Sequence, residues 1–317
     1  MLFWPGLGLL ALWGGTALSV QAPQARGAVL AGLAVVLGGL IWARLATPYG
    51  PALLAAVALG LAGWFLMLQP RADRDWAPDV ARIVTGDRQG NRVTLHNIRS
   101  FRWQDRSHAT EVWQDRTVDL DGLLGVDLFT SVWDNPRIAH LLVSFGFADG
   151  ARVVFSVEIR RERGEAFSSI GGFFRQFELA LIAADEEDIV KLRTNHRGEE
   201  VRRYALRLPA DQARQLFLGY VALGNDLAAR PRWYNTITAN CTTVVWGLAR
   251  AVHPGLGVDP ALLLSAGVPD WLQRLGLLQD TGPMAAVHNA ARISARARAL
   301  PPGADFSAGI RQTGILP

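Results

Sequence analysis

The first seventy residues constrain this chain most. Three apolar stretches, residues 2–20, 27–43 and 51–68, contain no charged side chain, and the breaks between them hold only Arg26 and Arg44. At about 1.5 Å of rise per residue, each forms a helix of roughly 26–29 Å, close to the hydrocarbon thickness of a bilayer. Residues 1–70 therefore read as a transmembrane anchor of three helices. A cleavable signal peptide is the competing reading of the first stretch and leaves two spans, but that stretch lacks a basic leader. A buried hairpin of a soluble protein fits poorly with stretches so free of charge. Loop charge does not orient the anchor, because with three spans Arg26 and Arg44 fall on opposite sides.

Beyond the mixed-charge run at residues 69–76 (QPRADRDW) no stretch reaches spanning length, so residues 71–317 read as a globular domain on one side of the membrane. Half of the chain is hydrophobic, 19% is charged and the mean hydropathy is +0.15, which argues against disorder and is too apolar for an ordinary soluble enzyme. The net charge of +4 comes from arginine, Lys191 being the only lysine, and the basic residues are interspersed with acidic ones. That pattern gives no reason to expect a nucleic-acid partner and suits an anionic membrane surface. No glycine-rich nucleotide loop follows a strand. His96, His108, His196, His253 and His288 lack partners at metal-ligand spacings, so neither a metal nor another cofactor is expected. The single cysteine, Cys241, excludes an intrachain disulfide and a cysteine-based zinc cluster.

Strand signals at residues 92–95, 118–120, 138–147, 152–159 and 201–208 alternate with helix signals at 209–229, from about Cys241 onward, and at 260–276. Residues 101–116 read as loop and edge, and the Pro- and Gly-rich closing segment as extended chain. The run 185–188 (DEED) reads as a solvated helix start. Arg160, Arg161 and Arg163 read as a solvated strand end or as contacts to phosphate head groups. Arg175, Gln176 and Glu178 interrupt an apolar run and suggest a buried network without an assigned role.

Residues 138–162 carry the most informative arithmetic. With Ala148-Asp149-Gly150 as a three-residue turn, facing positions sum to 298. Leu141 then faces Val157, Val143 faces Phe155 and Phe145 faces Val153, so one sheet face is wholly apolar; a one-residue slip would destroy the match. The same register puts His140 opposite Glu158, where a carboxylate accepts an imidazole N–H, fixes its tautomer and raises its pKa. A surface salt bridge is the plain alternative. Cys241 stands in WYNTITANCTTVVWGLAR, where Asn240 or a neighbouring threonine caps the following helix and leaves the sulfur at its N-terminus, a position that favours thiolate. A small buried hydrophobe is the plain reading of that cysteine. Together the two features suggest Cys241 as nucleophile, His140 as proton shuttle and Glu158 as orienter. The Cys241 N–H, aided by the Asn240 side chain, would serve the oxyanion, with Tyr234 and Asn235 as further support. Trp233, Tyr234 and Trp246 are candidates to keep water from such a site, or core residues.

The blocks RDWAPDVAR, RIAHLLVSFGFADG, VEIRRERGEAFSSIGGFFRQFELALIAADEEDIVKLRTNHRGE and RPRWYNTITANCTT resemble a family of bacterial membrane-anchored proteins formerly of unknown function. Some of its members are assigned as thiol-dependent lipoprotein N-acyltransferases. The resemblance spans most of residues 74–250, and YN-x5-CTT is its most specific block. It implies an α+β fold in which the anchor precedes a circularly permuted papain-like, NlpC-type domain with an antiparallel sheet and a cysteine-bearing helix. It implies Cys241 as nucleophile, His140 as base and Glu158 as third member. It also implies an inner-membrane location with the catalytic domain on the periplasmic side, a membrane lipid or lipoprotein as acyl donor and a lipoprotein N-terminal cysteine as acceptor. An NlpC-type hydrolase cutting cell-wall peptide or lipid amide bonds would use the same residues. An anchored binding module that has lost activity is the third reading.

Overall fold

A computed structural model describes residues 2–312. The apolar stretches form helices α1 (Phe3–Gln21), α2 (Arg26–Ala46) and α3 (Gly50–Met67), each long and apolar enough to cross a membrane. Only a narrow seam of Phe3, Leu7, Leu10, Leu40 and Leu54 is buried between them, while Leu12, Val35, Trp42 and Leu59 face outward. Helices that are apolar on every side belong in lipid. Small residues let them approach closely: a Cβ on Gly14 would stand 2.6 Å from Leu61. The helices run up, down and up. Gln21, at the end of α1, and Leu68, just past α3, both bond to groups of the globular part. Arg44 lies over the ring of Phe3 at the far end, 6.0 Å from its centroid. Arg26 and Arg44 thus occupy opposite ends of the bundle, which is why their charges cancel as an orientation signal.

The globular part contains β1 (Thr85–Gln89), β2 (Arg92–Arg99), β3 (Arg102–Trp103), β4 (Ala109–Thr110), β5 (Trp113–Asp119), β6 (Leu123–Val132), β7 (His140–Phe147), β8 (Arg152–Arg160), β9 (Glu178–Ala184) and β10 (Glu200–Ala205). Its helices are α4 (Ser169–Phe173), α5 (Glu186–Lys191), α6 (Ala210–Ala229), α7 (Thr243–Val252), α8 (Val268–Arg274), α9 (Met284–Ala291), α10 (Ser294–Ala299) and α11 (Phe306–Gly309). The main sheet runs β1-β2-β9-β8-β7-β6-β10, with β5 also paired to β2. Its ladders are antiparallel except where β2 meets β9 in parallel, at Arg99 and Ala184. The expected antiparallel sheet is therefore mixed, because the long excursion between β2 and β9 is enough to return the chain in the same direction.

Both faces of this sheet are covered. On one, Phe145 and Phe155 pack edge-on against Phe217 of α6, and Phe155 stacks on Tyr220 at 4.8 Å. On the other, Phe129, Leu142, Val154 and Ile182 meet Ile189, Val190, Ile293 and Phe306. A strand buried on both sides shows no alternation of polar and apolar residues, and β9 (ELALIAA) is buried at every position. Neither β9 nor β6 carries a strand pattern that period-two reading detects.

The β7–β8 register matches the expected one: Val143 pairs with Phe155 and Phe145 with Val153. Other expectations change. Residues 101–116 hold the β3–β4 hairpin and the start of β5, and the closing segment folds into α9, α10 and α11 rather than extended chain; its last residues, 313–317, lie outside the described ones.

Candidate active site

The β7–β8 hairpin fixes one half of the site. Leu141, Val143 and Phe145 of β7 and Val153, Phe155 and Val157 of β8 all enter one core, so the period of two sends His140, Ser156 and Glu158 to the opposite face. There His140 Nε2 lies 2.8 Å from Ser156 Oγ and 3.2 Å from Glu158 Oε1, and Ser156 Oγ donates to Glu158 Oε1 at 2.7 Å. The surface salt-bridge alternative does not describe this pair, because the two side chains are only 12% and 21% exposed. Arg193, in the π-helical turn Leu192–His196 after α5, donates to Glu158 Oε1 at 3.0 Å and to the Ile189 carbonyl at 2.9 Å. Ser156 was legible as the residue two before Glu158 on the same strand face. Arg193 carries no local signal, since only the packing of α5 on the sheet brings it in.

The other half is the loop before α7. Asn235 closes it, exchanging backbone hydrogen bonds with Ala239 and accepting the Ile237 and Thr238 N–H groups at 3.0 Å. Asn240 caps α7: its Oδ1 accepts the Thr242 and Thr243 N–H groups at 2.8 and 2.9 Å, and its own N–H donates to Thr243 Oγ1. Its amide Nδ2 donates to the Thr236 carbonyl at 2.7 Å. Asn235 and Asn240 thus shape the loop, and the Asn240 amide expected at an oxyanion is engaged elsewhere. Among the described residues the Cys241 N–H has no acceptor, which leaves it as the free donor beside the sulfur.

Cys241 is partly buried one residue ahead of α7 and adjoins His140 closely enough for each to change the other's proton affinity. Burial opposes the imidazolium, but the charges of Glu158 and of the Cys241 thiolate overcome it and push His140 up to about 9. Burial likewise raises Cys241, yet His140, the Leu141 N–H and the Thr242 hydroxyl outweigh it and lower the thiol below its ordinary value. Glu158 is held well below the carboxylate range: burial raises it, and His140, Arg193 and Ser156 more than compensate. The result is a thiolate–imidazolium pair oriented by a carboxylate. Nε2 faces Ser156 and Glu158, so Nδ1 is the nitrogen left for the sulfur. No sulfur–nitrogen hydrogen bond of ordinary geometry closes among the described residues, and the sulfur's recorded partner is Thr242 Oγ1 at 3.9 Å. Such contacts commonly tighten only when substrate binds. Tyr234 is buried beside this cluster, its hydroxyl pKa raised by burial and by the charges of Cys241 and Glu158.

The loop is also tied to the anchor. Arg175, at a positive φ of 56°, points its guanidinium at the end of α3 and donates to the carbonyls of Phe65, Leu66 and Leu68 at 2.7–3.2 Å. A cation at a helix C-terminus meets the orphan carbonyls and the negative end of the dipole. Gln21 donates to the Phe174 and Arg175 carbonyls, and Trp13, Phe65 and Phe174 form an aromatic cluster across the junction. Glu178 accepts the Arg71 N–H at 2.9 Å and pairs with Arg74 at 3.2 Å, and Gln176 donates to Glu165. The unassigned polar set Arg175, Gln176 and Glu178 is thus largely the joint between membrane helices and domain. Trp233 donates to the Leu68 carbonyl at 3.4 Å from a half-buried position, while Trp246, also half-buried, bonds to the Gly257 carbonyl. Around the joint, Phe167, Ile170 and Phe173 of the α4 region and Ile237 of the cysteine loop are exposed.

Two expectations are corrected. The acidic run at 185–188 begins α5 but is not solvated: Glu186 and Asp188 are buried, the first against Arg311, the second in a bidentate pair with Arg99 at 2.8 and 3.0 Å. Arg160, Arg161 and Arg163 hold the linker, bonding to Val80 and Ala81 carbonyls, Asp79 and Asp75. Among the described residues no group of three or more His, Cys, Asp or Glu side chains could hold a metal ion.

Residues 109–275, more than half of the chain, match the family model of the Lnb N-terminal periplasmic domain. No curated protein and no solved structure matches the chain. The three apolar helices anchor the chain in the cytoplasmic membrane, with the matched domain on the periplasmic side.

Proposed function

The chain belongs to the family of the Lnb N-terminal periplasmic domain, and from that premise we propose that it is a membrane-anchored cysteine acyltransferase that acylates the N-terminal cysteine of lipoproteins through a thioester on Cys241. One observation carries the reading: Cys241, His140 and Glu158, far apart in sequence, converge on a thiolate–imidazolium–carboxylate arrangement in a domain fastened to the end of a membrane helix. We read the fold as a permuted papain-like unit, since the histidine strand precedes the cysteine helix. The resemblance of the sequence blocks supports the same assignment.

The chemistry follows from the charges. The Cys241 thiolate attacks the carbonyl carbon of a lipid ester, and the developing oxyanion is met by the Cys241 N–H. His140, protonated at Nδ1, gives its proton to the departing alkoxide as the carbon–oxygen bond breaks, leaving a thioester. The acceptor amine then attacks, His140 takes its proton, and the thiolate departs from an amide. Glu158, braced by Ser156 and Arg193, holds the ring through Nε2 during both transfers. A domain held at the lipid surface receives both substrates from the same plane, which removes most of the cost of bringing them together. The exposed Phe167, Ile170, Phe173 and Ile237 suit that surface.

Mass spectrometry of lipoprotein N-termini, in cells with the gene, without it and with Cys241→Ala, tests the proposal. The amide-linked acyl chain is expected only with the intact gene. An acylation state independent of the gene refutes the function, and full acylation by Cys241→Ala refutes the mechanism. Cleaved peptide or free fatty acid in place of acylated acceptor would assign the site to hydrolysis.

A further inference from the structure

Helix α7 is strongly amphipathic, yet none of its residues is fully buried. Its apolar stripe, continuing from Thr242 through Val245, Trp246 and Ala249, faces a slot walled on the sheet side by Leu141 and at its far side by Trp271. The slot encloses about 720 Å³ of unfilled space including its mouth, within the roughly 300–1,000 Å³ of small-molecule sites. No Asp, Glu, Lys or Arg lines it. It begins at the reacting groups, because Leu141 follows His140 in β7 and Thr242 follows Cys241.

We propose that this slot holds the alkyl chain of the acyl group carried on Cys241. The inference rests on the reading of Cys241 as the acyl-bearing nucleophile and adds where the chain goes. An apolar wall offers no partner to a charged or hydrogen-bonding ligand, whose lost hydration would go uncompensated. A flexible hydrocarbon requires none, and it would complete the packing that α7 lacks. Attachment at Cys241 fixes the carbonyl end at the mouth, so the chain is directed along α7. The same arrangement shields the thioester from water approaching along that helix.

The test uses the full chain in lipid nanodiscs, with p-nitrophenyl acetate and p-nitrophenyl octanoate as donors and intact-mass measurement of the acyl adduct. Cys241 being the only cysteine, the Cys241→Ala variant gives the background. In the wild type the octanoyl adduct forms at least about tenfold faster than the acetyl adduct, as contacts of several methylenes with an apolar site require. Ala249→Phe and Val245→Trp, which fill the slot, lower the octanoyl-to-acetyl ratio by at least about tenfold. A ratio unchanged in both variants overturns the slot while leaving Cys241 as acyl carrier, and so does a wild type indifferent to chain length, a result that needs no variant to fold. Absence of any adduct on wild-type Cys241 overturns the underlying reading together with the slot.

Discussion

Replacing Glu158 by glutamine removes the charge that holds His140 protonated while keeping the size of the side chain and an acceptor for Ser156. His140 stands at about 9 against an ordinary 6.5. At about 1.4 kcal/mol per pH unit, that is about 3 kcal/mol in favour of the imidazolium. Among the favourable influences Glu158 comes first and the Cys241 thiolate second. If half or more of the preference rests on Glu158, its loss costs about 2 kcal/mol, roughly a thirtyfold fall in the imidazolium population that sustains the thiolate. With a single cysteine in the chain, the rate of iodoacetamide alkylation reads that thiolate without interference. Glu158→Gln is expected to slow alkylation at pH 7 by about ten- to thirtyfold and to move the pH profile to the alkaline side, the two proteins converging where an ordinary thiol ionises. The same linkage governs stability. A pKa raised on folding gives stabilisation that is complete below about pH 6.5 and is lost as the pH rises through about 9. The gap in Tm between wild type and Glu158→Gln should therefore narrow across that window. Superimposable alkylation profiles would refute the coupling of the three groups, whatever the effect on stability.

Three further outcomes follow from the packing. Arg99→Met leaves the buried Asp188 without its bidentate partner and should cost about 3–5 kcal/mol in the midpoint of urea unfolding; a loss under about 1 kcal/mol would mean that the Phe101 and Trp103 N–H groups satisfy Asp188 by themselves. Asn240→Ala removes the cap of α7 and should cost about 0.5–2 kcal/mol, with slower alkylation of Cys241 because the loop that positions the sulfur is loosened; alkylation at the wild-type rate would separate the cap from the thiol. Arg175→Ala frees the carbonyls at the end of α3, and limited proteolysis of the full chain in nanodiscs should cut faster within residues 69–76; unchanged cleavage would mean that the aromatic cluster alone secures the joint.

The sequence alone determined what depends on local periodicity. Uncharged runs of spanning length specified the anchor, since burying a charge in hydrocarbon is costly wherever the rest of the chain goes. The strict two-residue period of β7 and β8, pinned by the Ala148-Asp149-Gly150 turn, specified which residues line the core and brought His140 opposite Glu158. The Asn240 cap was similarly visible, because its partners are two and three residues away. Tertiary structure decided what requires distant segments to meet. Strand β9 lies between two helical layers, so burial on both faces erases its alternation, and only the assembled sheet identifies it. Arg193 and the Arg99–Asp188 pair acquire their partners through contacts 35 and 89 residues away, which composition cannot encode. The contact of Cys241 with His140 is of the same kind. Each was a reasonable candidate in its own stretch, but it took the packing of α7 against the sheet to put the thiol beside the imidazole, where burial makes their charges interact strongly enough to shift both.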